Sequence, residues 1–179
     1  MSFLLSLFQN RTKNVAVTFC GLDKAGKTTM VDFLKTGRFN QNTHATLGMN
    51  KEIIDIPGLT FNIMDLGGQE DFRCIWHEAN EKTDVLIYIV DSTDFNRFEE
   101  TKEIFHRIAE TQIKDDVVIM VLLNKADIST RMDGGSDFIS RFGLNKLHHT
   151  WSLFVTSSFS GQGVYEAFTW LSERFKRRG

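Results

Sequence analysis

An α/β domain with a mostly parallel sheet is predicted by three features of this sequence. Apolar runs at 15–20, 85–90 and 117–123 are continuous rather than alternating, as in strands covered on both faces. Helical periodicity falls between the second and third runs. Gly-rich or polar turns follow the strands directly, where open α/β sheets place their ligand sites. A length of 179 residues suits one compact domain.

The first strand, 15–20, runs into a Gly-rich loop and then a helix from Lys27 to about Lys35. Residues 37–49 show no periodicity and read as a loop. Short strands at 53–56 and 59–64 flank Pro57-Gly58, a pair suited to the centre of a type II turn. Leu59, Phe61 and Ile63 share one strand face. A helix over 95–110 has Ser92, Thr93 or Asp94 as its N-cap. A last strand, near 153–155, precedes a C-terminal helix whose Val164, Ala167, Phe168, Leu171 and Phe175 form a core face.

A formal net charge of −2 gives no basic field for nucleic acid. Cys20 and Cys74 form neither CxxC nor a zinc spacing, and fit a reducing compartment. No apolar run approaches the ~20 residues that span a bilayer. The apolar start lacks a basic n-region and a cleavage site, which argues against a secretory signal. Ser2 argues against N-myristoylation, and Arg177-Arg178-Gly179 is not a prenylation box.

Gly21-Leu22-Asp23-Lys24-Ala25-Gly26-Lys27-Thr28 matches GxxxxGK[ST] between a strand and a helix. Amides of Asp23, Lys24, Ala25, Gly26, Lys27, Thr28 and Thr29 can then turn toward phosphate oxygens at a helix N-terminus. Lys27 is expected to reach the β- and γ-phosphates, and the Thr28 hydroxyl to ligate Mg²⁺. Asp65-Leu66-Gly67-Gly68-Gln69 follows another strand. Asp65 can hold Mg²⁺ through water, Gly68 can present an amide to the γ-phosphate, and Gln69 can orient attacking water. Thr46 lies in the intervening loop, where its hydroxyl can close on Mg²⁺. Asn124-Lys125-Ala126-Asp127 follows a third strand. The Asp127 carboxylate can accept both N1–H and the 2-amino group of guanine, a donor pair adenine lacks. The Lys125 stem can lie along the purine, Asn124 can tie this loop to the phosphate loop, and Ser157-Ser158-Phe159 can offer amides to the guanine oxygen.

With these motifs the sequence resembles the Arf/Arf-like family of small GTPases over nearly its whole length. The likeness rests on the wording of the phosphate loop, the double glycine of 65–69 and the 19-position spacing from Thr46 to Asp65. Gly143-Leu144, Trp151, Ser160-Gly161-Gln162-Gly163 and Trp170-Leu171 are also similar. The resemblance implies a three-layer P-loop NTPase sandwich, with helices flanking a mostly parallel six-stranded sheet. It implies an N-terminal amphipathic segment, 1–13, ahead of a G domain, 14–179. It further implies a cytoplasmic monomer that cycles between GDP and GTP with Mg²⁺ and acts in membrane traffic or related processes. An exchange factor, a GTPase-activating protein and effectors would be its partners. GTP would shift the hairpin of about 50–64 and release the N-terminal segment onto a membrane, reversibly, through Phe3, Leu4, Leu7 and Phe8. Arg11 and Lys13 would assist on an anionic leaflet.

Four features depart from the family pattern. Ala45 replaces the Pro before the switch I Thr, and Ser2 replaces the acylated Gly. Met49, Met64 and Ala79 stand where an aromatic effector triad is usual, and Ser157-Ser158-Phe159 replaces a Cys-Ala-Thr-like loop.

The implied reaction is slow GTP hydrolysis, with Lys27 and Gln69 as catalytic residues. Only 18 residues separate Lys27 from Thr46, too few for an inserted helical domain carrying an arginine finger. A nucleoside kinase would need an acceptor-binding acid and an Arg-rich lid, and neither is evident. A soluble GTP-dependent binding module with negligible hydrolysis is the alternative. Phe72 and Trp76 read equally as contact surface or core, His148-His149 lacks a third metal ligand nearby, and Lys176-Arg177-Arg178 reads as a solvated helix end.

Overall fold

A computed structural model describes residues 13–42, 44, 46–56, 59–68, 76–129 and 135–176. Six strands form one sheet: β1 (Lys13–Cys20), β2 (Met49–Ile56), β3 (Leu59–Leu66), β4 (Val85–Asp91), β5 (Val118–Asn124) and β6 (Trp151–Val155). Their spatial order is β2-β3-β1-β4-β5-β6. Only the β2–β3 pair is antiparallel; β1 pairs in parallel with both β3 and β4, and β5 continues the parallel set to β6. Helices α1 (Lys27–Thr36), α2 (Trp76–Asn80), α3 (Phe98–Thr111), α4 (Ser136–Phe142) and α5 (Val164–Lys176) flank the sheet.

The continuous apolar strands are buried on both sides, as their composition demands. Val85, Ile87 and Ile89 join Val31, Phe168 and Leu171 on the face covered by α1 and α5. The alternate residues Leu86, Tyr88 and Val90 join Trp76, Phe105 and Phe142 under α2, α3 and α4. All five apolar residues predicted to form the core face of α5 are buried. Phe168 also meets Phe61 edge to face, with ring centroids 6.4 Å apart. Burial pushes the Cys20 thiol up to about 12 and leaves it chemically inert at neutral pH.

Several boundaries differ from the sequence expectation. β2 begins at Met49, four residues early, because Asn50, Lys51 and Glu52 lie on an edge strand where polar residues hide the pattern. The helix expected from 95 opens as a 3₁₀ turn, Phe95–Arg97, capped by Asp94. Helices α2 and α4 were not anticipated; at five and seven residues, neither has room for a period to repeat. Trp76 is core, 1% exposed. The Pro57-Gly58 turn, Phe72, Cys74 and the end of the basic tail lie outside the described residues.

Truncation of Phe168 to Ala is expected to cost about 3–5 kcal/mol of stability, measured by urea denaturation with wild type as reference.

Candidate functional site

The carboxyl ends of the parallel strands carry all three motifs, and β1, whose neighbours β3 and β4 lie on opposite sides, marks the topological switch point. The phosphate loop leaves β1 there. Lys24 (φ 63°) and Gly26 (φ 95°) adopt left-handed backbone, which bends the loop into an anion-binding nest ahead of α1. The Lys24 conformation is costly for a residue with a Cβ, and its presence marks a loop constrained from outside. Buried Lys27 spans the loop, its Nζ donating to Gly21 O at 3.0 Å and Leu22 O at 2.9 Å. Gly68 lies against the same loop; a Cβ there would overlap the Asp23 amide nitrogen and the Lys27 ammonium. Gly67 N donates to Gly48 O at 2.7 Å, and the Trp76 indole donates to Gly67 O at 3.0 Å.

Three oxygen donors converge beside this loop. Thr28 Oγ1 lies 2.8 Å from Thr46 Oγ1 and donates to Asp65 Oδ2 at 2.7 Å; Thr46 Oγ1 lies 3.1 Å from the same oxygen. Asp65 Oδ1 is buried without a hydrogen-bond partner among the described residues. Burial pushes the Asp65 carboxyl up, opposed by hydrogen bonds from the two threonines and by the charge of Lys27. Hard oxygen ligands, one carboxylate and an orphaned buried oxygen fit a small divalent cation such as Mg²⁺. His148 and His149 gain no third ligand of the His, Cys, Asp or Glu type among the described residues.

The Asn124–Asp127 loop is tied inward on every side. Asn124 Nδ2 donates to Ala25 O at 3.0 Å, joining it to the phosphate loop, while Asn124 Oδ1 accepts from Ser158 N at 3.2 Å. The Ser157 hydroxyl donates to Asp127 Oδ1. Lys125, at φ 65°, pairs with Asp91 Oδ2 at 2.6 Å. The Phe159 amide donates to the Ser157 hydroxyl. Two of the amides expected to face a base oxygen, those of Ser158 and Phe159, thus donate to Asn124 Oδ1 and to the Ser157 hydroxyl.

One cavity of about 690 Å³ joins these parts. Asp23, Lys24, Gly26, Lys27, Thr28, Thr29, Thr46 and Gly68 line one portion, and Asn124, Lys125, Asp127, Ser158 and Phe159 another. Its volume falls within the range of small-molecule sites. Ala25, Asp65 and Ser157 are placed by the bonds above rather than as lining. Gln69 and the segment holding Phe3, Leu4, Leu7 and Phe8 lie outside the described residues. Sequence reasoning missed Phe39, Gln41, His44 and Ile128, which also line the cavity. Phe39 and Phe159 meet edge to face at 5.0 Å despite being 37% and 59% exposed. A lone Phe in an otherwise polar, aperiodic loop was the available signal.

A family model described as the ADP-ribosylation factor family matches residues 1–175. The chain belongs to this family. ADP-ribosylation factor F of Dictyostelium discoideum is 34% identical over 171 residues, covering 94% of this chain and 88% of that protein. The structure of the Arl6 BBS3 small GTPase from Trypanosoma brucei, with the bound nucleotide analogue GppNp, superposes with a TM-score of 0.82 at 29% identity. That match covers 93% of this chain and all of the other. The chain is thus a nucleotide-binding switch of the Arf/Arf-like type in its general function. Met49 is exposed, Met64 half-buried and Ala79 buried.

The Asp91–Lys125 pair generates a pH dependence. Burial pushes the Asp91 carboxyl up, but hydrogen bonds from Lys125 and Thr93 outweigh it and hold the group below the usual carboxylate range. A depressed folded pKa contributes stability above the unfolded value of about 3.9, and that contribution is lost as pH falls through the folded value. Asp91→Asn is therefore expected to lower stability at pH 7 by about 1–2 kcal/mol and to converge on wild type in acid. Denaturant melts from pH 7 to pH 3 measure both.

Proposed function

We propose that the chain binds GDP and GTP with Mg²⁺, hydrolyses GTP slowly, and couples the GTP state to reversible membrane association. The observation that carries the nucleotide reading is the single cavity running from the phosphate loop to Asp127. An amide-rich nest with a buried lysine suits a polyphosphate. A carboxylate among the lining residues suits the adjacent N1–H and 2-amino donors of guanine. Thr28, Thr46 and Asp65 would hold Mg²⁺, which when bound neutralises charge on the phosphoryl oxygens.

In hydrolysis, water attacks the γ-phosphorus as the bond to the β-bridging oxygen breaks, giving GDP and phosphate. Lys27 stabilises charge on the phosphates, the Gly68 amide meets the γ-phosphoryl group, and Gln69 orients the water. Loading this site would act on switch I directly, because Thr46 already bonds to both Thr28 and Asp65. The Gly48–Gly67 backbone bond carries that change to the end of β3. Exchange and activating proteins and effectors would read this region, with an activating arginine worth ~10³–10⁵-fold in rate.

No helix among the described residues is long and apolar enough to cross a membrane. Membrane association is assigned, on the family resemblance, to the N-terminal apolar residues Phe3, Leu4, Leu7 and Phe8, each contributing up to ~1.5–3 kcal/mol on full burial.

Calorimetry is expected to show GDP preferred over ADP by about 10⁴-fold, with Asp127→Ala erasing most of that preference. Equal affinity for the two nucleotides would overturn the guanine reading. Single-turnover hydrolysis is expected to fail in Gln69→Leu; a near wild-type rate would remove Gln69 from the mechanism. In liposome co-sedimentation, a non-hydrolysable GTP analogue is expected to increase pelleting over GDP, and Leu4→Asp to abolish the increase. Equal pelleting with both nucleotides tightly bound would leave a soluble switch.

A further inference from the structure

An acidic residue, Asp23, is among those lining the part of the cavity assigned to phosphate. Asp23 lies in the phosphate loop, where its amide nitrogen sits against Gly68, the residue placed to meet a γ-phosphoryl group. An ionised carboxylate there repels a polyphosphate unless its charge is balanced locally. Lys27 cannot be fully diverted to that task, since its ammonium already bridges the loop carbonyls.

The balancing cation comes from the segment between β4 and α3. Arg97 Nη1 bonds to Asp23 Oδ1 at 2.6 Å, and Nη2 donates to the Asp23 carbonyl at 3.3 Å. The other side of the guanidinium is held by Asp94, whose Oδ2 lies 2.6 Å from both Nε and Nη2. Asp94 Oδ1 also accepts from the Arg97 backbone amide, so the donor of the cation is itself fixed by the turn that precedes α3. The three side chains are each 25–30% exposed, which limits screening of the contact.

We propose that Arg97 is a positioning residue of the nucleotide site: it neutralises Asp23 and turns its carboxylate from the phosphates, so that the loop amides meet the polyphosphate without an opposing charge. This rests on the nucleotide reading above. Two further consequences follow from electrostatics. The benefit is larger for GTP than for GDP, because Asp23 lies at the γ-phosphoryl end and GTP carries the additional charge there. Arg97 is also committed to two carboxylates and is not available as an arginine finger, in keeping with slow unassisted turnover. Lysine is a poor substitute, because a single ammonium cannot bridge both acids as a planar fork does.

Nucleotide dissociation constants for GDP and a non-hydrolysable GTP analogue test the proposal across wild type, Arg97→Gln, Asp23→Asn and the double variant, at low and high salt. Wild-type GDP binding comes first; its absence would fail the nucleotide reading itself. Given that binding, Arg97→Gln is expected to weaken the GTP analogue by about tenfold or more and GDP by less. High salt is expected to shrink the loss, and adding Asp23→Asn to restore most of the affinity. A uniform loss for both nucleotides that Asp23→Asn does not rescue would overturn the proposal and leave Arg97 a structural brace. Unchanged binding in Arg97→Gln would overturn it as well. If Arg97→Gln unfolds, Arg97→Lys provides the same comparison, with a smaller but equally rescuable loss expected.

Discussion

A loop that turns its amides toward an anion cannot satisfy itself, and this constraint organises the molecule. Residues 21–26 have neither helix nor strand to hold them, and Lys24 occupies a conformation that a side-chain-bearing residue avoids. Support arrives from elsewhere: the Lys27 ammonium across Gly21 and Leu22, the Asn124 amide on Ala25, Arg97 on Asp23, and Gly68 against the loop. These partners are far apart in sequence. A parallel sheet brings them together because every parallel strand ends on the same side, which gives the fold class a functional reason.

The loop from Asn124 to Asp127 is built by the same rule. Ser92 N donates to Asn124 O, Ala126 N to Thr156 O, Lys125 reaches Asp91, and Ser157 reaches Asp127. The ends of β4, β5 and β6 are laced together before any ligand arrives. Pre-ordering of this kind lowers the entropy lost on binding. The described residues between 37 and 48 form no regular element; Thr46 bonds to Thr28 and Asp65, Gly48 accepts from Gly67, and Phe39 meets Phe159.

Much of this was legible in the chain. Continuous apolar runs identified β1, β4 and β5, because burial on both faces leaves no other composition. The loops around Lys27, Thr28 and Asp127 were singled out by motif spacing, and the structure brings them to one cavity. Helices α2 and α4 were not, since a turn or two anchored by Trp76 or by Phe138 and Phe142 leaves no periodic trace. The indole of Trp76 could serve surface or core equally until its partner, the Gly67 carbonyl, was known. Arg97 and Asp91 escaped for a related reason: each acts by reaching a residue over thirty positions away, and their own neighbours carry no hint of it.

The departures from the family pattern separate into two physical kinds. Ser157-Ser158-Phe159 keeps its loop closed through the Ser157 hydroxyl on Asp127 and the Ser158 amide on the Asn124 side chain; only the second of these would survive any change of the loop's own side chains. Where side chains make the contact, variation changes the outcome. Met49 and Met64 offer flexible thioethers and Ala79 a buried methyl, at positions where the resemblance implies aromatic rings with rigid faces. Thioethers adapt to many surfaces and specify few of them. A loop held by backbone geometry can thus keep its shape while exposed side chains elsewhere change.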